Sequence, residues 1–459
     1  MSDSTFDPAR DDLVFDDPLF QQARALLAQG SFEEALAGFQ EVSGRFPENS
    51  HVICDLGNVQ HSLGKIKEAI ASYKLALRLR PESSAMWFNL GTVYGEEEDG
   101  SAAIAAFEKA VKFAPDDPDP WYAIGCEYGK RQSHEREIEA HQKAVELNPI
   151  SSHFINGLAA AYASAGNMEE AAAAYKRSTE VDPGSGETWL TLADFLGTNK
   201  QLDEAIEACR KAIQLMPEEG LPQNSLGVLL EKLGRHEEAM EAFAQAAELE
   251  PDLAEPWFNL GNGFMRLGKE AEAAVAYEKA LAINPELFDA LCNLGEIYDR
   301  QGKHEEGLVK FEKACLVQPH HAELWFNSSL IQRKLGYWKK EIESLEHAVR
   351  IRPGYAEAWN NLGLACAQDG DNLKAIKAIK EALKFRGEEA SLWRGLYLAC
   401  RDEGLTAEAI EAFDKALQLQ PDNAEWWEEF AKILKGNGQV ERAAEAQQRA
   451  ESLKPPAPE

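Results

Sequence analysis

Residues 251–285 read PDLAEPWFNLGNGFMRLGKEAEAAVAYEKALAINP. A proline opens the stretch and another closes it 34 residues later, and the same beat runs along the whole chain. It falls on Pro47, Pro81, Pro115, Pro149, Pro183, Pro217, Pro251, Pro285, Pro319, Pro353, Pro421 and Pro455, and Gly387 fills the one missed beat. No insertion or deletion breaks the phase. A fixed period of 34 residues is the mark of a helix–turn–helix solenoid, an all-α fold. With the clock proline placed at position 32, thirteen repeats run from Asp16 to Ala457 and cover 442 of 459 residues.

The repeat positions have physical roles. Position 4 is Trp in eight repeats, position 8 is Gly or Ala in eleven, and position 24 is Phe or Tyr in eight. Position 20 is Ala in ten repeats and position 27 in eleven. Positions 4, 7, 8 and 11 share one face of a first helix, and positions 20, 24 and 27 share one face of a second. Gly inside a helix costs about 1 kcal/mol against Ala, so its return at position 8 predicts a close approach of the two helices. The rings at 4 and 24 fill the remaining volume. Position 15 is often Gly (Gly166, Gly234, Gly268, Gly302, Gly336), which suits a helix C-terminus. Pro at position 32 stops the second helix, and the Asp, Glu, Ser or Asn that follow can cap the next.

This pattern resembles the tetratricopeptide repeat (TPR) family over about 96% of the chain. The resemblance implies antiparallel helix pairs stacked into a right-handed superhelical solenoid of about 13 repeats, with first helices lining a concave groove. The expected organisation is a flexible acidic tail over 1–15, one continuous solenoid over 16–457 whose polar last repeat acts as a cap, and a short end at 458–459. Leu13, Val14 and Phe15 are placed to cover the first repeat. Both ends read as finished, and a complete solenoid is expected. Repeat 4 carries Glu137 and His141 where Ala and an aromatic are expected. Repeat 10 carries Ser328, Ser329, Glu341 and Leu345, and repeat 12 has Tyr397 at the Gly position. These read as tolerated drift, with a bend or a site as the sharper alternative.

The formal charge of −31 argues against nucleic acid, which needs clustered cations, and favours basic or neutral partners. No signal peptide, lipidation motif or 18-residue apolar run is present, so membrane insertion is not expected and the expected location is cytoplasmic. Seven cysteines without a CxxC pair read as free thiols in a reducing compartment. Chemistry is sought and not found. Residues Gly263 to Lys269 have phosphate-loop spacing, but Glu270 replaces the required Ser or Thr and no strand precedes them. His320-His321 and the pair His134 and His141 lack zinc spacing. No catalytic residue, metal ligand or cofactor is assigned, and only 17 residues remain outside the repeats.

Function is therefore expected in the groove. In the family, positions 2, 5, 6, 9, 12 and 13 of the first helix face the concave side. Position 6 is Asn at Asn89, Asn259, Asn293, Asn327 and Asn361, and Asn262 adds an amide at position 9. A carboxamide donates and accepts at once, so a row of them can hold an extended peptide by its backbone. The superhelical half of O-linked N-acetylglucosamine transferases resembles this arrangement, here without a transferase domain. Helix bridging is the structural alternative. Phe88, Tyr122, Phe258 and Phe326 at position 5 offer apolar anchors. Arg266, Arg300 and Lys334 at position 13 give the groove a basic edge opposite the acids of position 2, although charges so placed also complement the helix dipole. Family members that clamp a chaperone's C-terminal carboxylate need three cations; the matching positions hold Phe258, Asn262, Asn293, Glu323 and Asn327, so the amides match and the cations are missing. The expectation is a non-enzymatic scaffold for a protein or peptide partner. The alternatives are a chaperone-like holder of immature proteins and a targeting subunit for a separately encoded enzyme such as a glycosyltransferase.

Overall fold

The structure is a computed structural model describing residues 13–454, so most of the acidic tail and the last five residues lie outside the described residues. Leu13–Asp16 forms a 3-10 helix, and 26 α-helices follow among the described residues. Val14 is wholly buried, and Phe15 packs 5.7 Å from the Phe20 ring and 5.2 Å from His51. Val14 and Phe15 therefore contact the first two repeats and are not part of a free tail.

Each repeat is one helix pair. In repeat 8 the first helix is Ala254–Arg266 and the second is Glu270–Ile283, joined by a three-residue turn. The turn owes its shape to position 15, which has positive φ in all thirteen repeats. Ten of these residues are Gly, and the other three are Glu98, Gln132 and Lys200 at φ 59°, 56° and 62°. Left-handed backbone costs an L-residue roughly 1–2 kcal/mol. Replacing Glu98, Gln132 or Lys200 by Gly is expected to raise stability by about 0.5–1 kcal/mol each, while Gly234→Ala lowers it by about 1 kcal/mol; urea unfolding measures both.

Side chains cap many helix starts. Asp17 accepts from the amides of Leu19 and Phe20, and Asn49 from those of His51 and Val52. The position-4 tryptophans do more than fill space. Trp87, Trp189, Trp257, Trp325, Trp359, Trp393 and Trp427 each donate the indole N–H to the carbonyl of the clock residue six positions earlier, at 2.7–3.3 Å. The indole thus satisfies a carbonyl that the turn leaves outside any helix.

The close approach at position 8 is made by the ring at position 24. A Cβ on Gly57, Gly91, Gly261 or Gly295 would stand 2.5–2.9 Å from the ring of Tyr73, Phe107, Tyr277 or Phe311 respectively. Tyr277 is wholly buried and its hydroxyl is tethered to Asn262 at 2.6 Å, so the ring cannot swing aside. Gly261→Ala is expected to cost about 1–3 kcal/mol through overpacking, more than the helix propensity it gains. Gly395→Ala, whose Cβ would meet nothing nearer than 3.6 Å, is expected to be neutral or stabilising in the same unfolding assay. Repeat 12 accommodates Tyr397 by stacking it on Phe413 at 4.2 Å and bonding its hydroxyl to Glu429 at 2.8 Å.

Contacts divide the chain into two bodies, Met1–Ala239 and Met240–Glu459. The first holds successive small cores around Phe39, Tyr73, Phe107 and Ile155. The second holds one core around Tyr277 and Phe311 and another running from Ile342 to Ala446.

Candidate peptide-binding site

The position-6 asparagines divide into two groups. The Asn58 carboxamide oxygen accepts from the Tyr73 hydroxyl at 2.8 Å and from Asn89 Nδ2 of the next repeat at 2.9 Å. The same triad recurs in the second body. Asn262 Oδ1 accepts from the Tyr277 hydroxyl at 2.6 Å and from Asn293 Nδ2 at 3.3 Å, and Asn293 Nδ2 also lies 3.1 Å from that hydroxyl. Asn89, Asn262 and Asn293 therefore bridge neighbouring repeats. The triad needs Asn at position 9 and Tyr at position 24, a combination found in repeats 2 and 8.

Asn327 and Asn361 follow repeats without that combination. Glu296 and Phe311 precede the first, and Leu330 and Leu345 precede the second. Both asparagines are half-buried, and among the described residues neither side-chain amide has a hydrogen-bond partner. Asn259 and Arg266 both interact within the chain.

The position-5 aromatics are half-buried and lean on the ring at position 24 or, for Phe326, on Tyr355 at position 34. Phe88 lies 5.4 Å from Phe107, Phe258 5.9 Å from Tyr277, Tyr122 5.0 Å from His141, and Phe326 4.9 Å from Tyr355. The basic edge is largely neutralised. Lys334 bonds both carboxylate oxygens of Asp299 in the preceding repeat at 2.7–2.9 Å, and Arg300 bonds Glu270 at 2.8 Å. Burial pushes the Asp299 carboxyl up, but its bonds to Lys334 and His304 outweigh this and hold it below the usual range. The acids of position 2 are engaged as well, Glu323 by Arg352 and Glu357 by Arg386. Both edges thus tie helices together.

Two of the irregular repeats gather buried polar groups. Repeat 4 buries Glu127, Glu137 and His141, and repeat 10 buries Ser328, Ser329, Gln332, Glu341 and Ser344. His141 Nδ1, Asn156 Oδ1, Gln332 Oε1 and Glu341 Oε2 are buried without a hydrogen-bond partner. The cysteines are free, and burial pushes the thiols of Cys54, Cys209 and Cys292 up to about 12, the reverse of an activated thiolate. Among the described residues no cluster of His, Cys, Asp and Glu could hold a metal ion, and no helix is long and apolar enough to cross a membrane.

A tetratricopeptide-repeat profile matches residues 20–79, 54–118, 122–186 and 156–220, and a second TPR profile matches 232–268. The chain belongs to the tetratricopeptide repeat family. A profile described as the C-terminal domain of cilia and flagella-associated protein 70 matches residues 254–457 of this repeat chain. No curated protein matches. Similar solved structures include MamA, at 22% identity over 35% of this chain and 95% of that one, with a TM-score of 0.33. PilF of Pseudomonas aeruginosa gives 20%, 45% and 94%, with a TM-score of 0.40. The Cut9–Hcn1 hetero-tetramer of the APC/C gives 15%, 95% and 94%, with a TM-score of 0.35.

Proposed function

We propose that this chain is a non-enzymatic scaffold that holds an extended polypeptide segment along the first helices of repeats 10 and 11. Family membership supports a general role in protein–protein interaction. The observation that carries the finer reading is the pair of unengaged, half-exposed amides of Asn327 and Asn361, one repeat apart. A half-buried amide without a partner leaves a donor and an acceptor for a peptide backbone. Phe326, beside Asn327, supplies an apolar contact, and affinity would be spread over many such contacts.

The test is affinity capture from native lysate, quantified by mass spectrometry, with wild type, Asn327→Ala/Asn361→Ala and Asn89→Ala/Asn293→Ala. The first variant is expected to lose about tenfold in affinity for a captured partner while melting like wild type. The second is expected to lose about 1 kcal/mol of stability per broken bridge and to keep the partner. A partner held equally by the first variant and wild type refutes the site.

A further inference from the structure

Several junctions between neighbouring repeats carry the same ion pair, from position 25 of one repeat to position 19 of the next. Lys176–Glu204 and Lys380–Glu408 close at 2.7 Å, and Glu312–Lys340 at 3.4 Å with the signs exchanged. Glu346–Lys374 and Asp414–Arg442 follow the same geometry. At the junction of repeats 2 and 3 the pattern fails. Lys74 occupies position 25, but position 19 is Ala102, while eight other repeats hold Glu there.

Where that carboxylate is missing, a cavity of about 530 Å³ opens between the second helix of repeat 2, Ile66–Leu79, and both helices of repeat 3, Ser84–Glu96 and Gly100–Phe113. Leu77, Leu90, Trp87 and Tyr94 give it an apolar floor. Lys74, Arg78 and Lys109 line it as well, and no carboxylate does. Among the described residues none of these three cations makes an ion pair; Lys74 lies only over the Tyr94 ring, 5.3 Å from its centre. In a chain with 78 acidic and 47 basic residues, three unpaired cations around one apolar cavity stand against the prevailing charge. None of these residues occupies positions 2, 5, 6, 9, 12 or 13, so the cavity is separate from the site proposed above.

We propose that this cavity is a second docking site, for an acidic segment of a partner protein that places a bulky apolar side chain on Trp87 and Tyr94. One of its carboxylates takes the place of the missing position-19 Glu against Lys74, and others meet Arg78 and Lys109. Charge complementarity decides the partner's chemistry, since a basic or neutral segment would leave the three cations desolvated and unpaired.

The test uses the full chain and a fluorescein-labelled peptide of sequence EEFEE, followed by fluorescence polarisation, with EEAEE, KKFKK and ATP as competitors. Saturable binding is expected, weakening with salt and displaced by excess unlabelled EEFEE but not by KKFKK. Ala102→Glu places at position 19 the carboxylate that eight other repeats hold there. It is expected to keep or raise the melting temperature while weakening the peptide by about tenfold or more. Lys74→Ala/Lys109→Ala is expected to weaken it similarly, and Asn327→Ala/Asn361→Ala to leave it unchanged. Unaltered binding to Ala102→Glu, or no saturation at millimolar peptide, overturns the proposal. Displacement by ATP at equal concentration overturns it in favour of a nucleotide. Binding at least about tenfold tighter after removal of residues 1–12 overturns it in favour of the chain's own acidic segment.

Discussion

Arg333→Ala is expected to destabilise the second body by about 3–5 kcal/mol, whereas Glu341→Ala, a few residues away, is expected to cost little or to stabilise. The asymmetry follows from burial. Glu341 is 1% exposed, at the position where ten repeats carry Ala, and Arg333 holds its Oε1 at 2.6–2.7 Å. Its other oxygen has no partner, so the arginine is its main compensation. Removing the arginine leaves a charge in a site that water does not reach. Removing the carboxylate instead restores the regular small side chain, and the Arg333 side chain, about one-third exposed, can turn to solvent. Urea unfolding of the two single variants and the double variant checks this. The double variant is expected to fall near Glu341→Ala; a value near Arg333→Ala would show that the arginine acts through packing and not through charge.

The helix pairs, their phase and the close approach at position 8 were legible in the sequence because every repeat meets the same neighbours, so one physical demand is written thirteen times. What was not legible depends on pairs of positions. The indole bond of Trp257 to the Pro251 carbonyl requires the turn geometry between them. The left-handed backbone at Glu98, Gln132 and Lys200 is imposed by the helix pairs, and nothing in those residue types announces it. The asparagines show the limit most clearly. Asn293 and Asn327 occupy the same repeat position, yet one bridges repeats and the other is unengaged, because the decision lies 16 and 31 residues upstream, at Tyr277 and Asn262 for the first. The cations of position 13 likewise depend on residues elsewhere, since Lys334 answers to Asp299 and Arg300 to Glu270, each in the repeat before it. Departures from the repeat were visible as irregular letters in repeats 4, 10 and 12, but only the packing distinguishes the stacked Tyr397 from the buried polar groups of the other two.

Repeat 4 is expected to make the first body sensitive to acid through His141. This imidazole takes the place of the usual Phe or Tyr, in the space that Gly125 leaves open, and it is 3% exposed. Burial, with the nearby His153 adding to it, lowers its pKa to about 4. In the unfolded chain the value returns to about 6.5. Between these limits the unfolded state binds a proton that the folded state refuses, so stability falls as pH falls. The contribution is complete above roughly pH 7, is lost progressively below 6.5, and is exhausted near pH 4, a total of about 3 kcal/mol. By pH 5 about 2 kcal/mol of it is gone. His141→Phe supplies the ring found at this position in other repeats, removes the unpartnered Nδ1 and abolishes the titration. The variant is expected to match or exceed wild type at pH 7 and to be clearly more stable at pH 5. Urea unfolding of both proteins at the two pH values isolates the histidine, because carboxylates such as Asp55 and Asp194, whose burial pushes them up, titrate equally in each. Parallel losses between pH 7 and pH 5 would mean that His141 is charged in the folded protein and that its Nδ1 has found a partner.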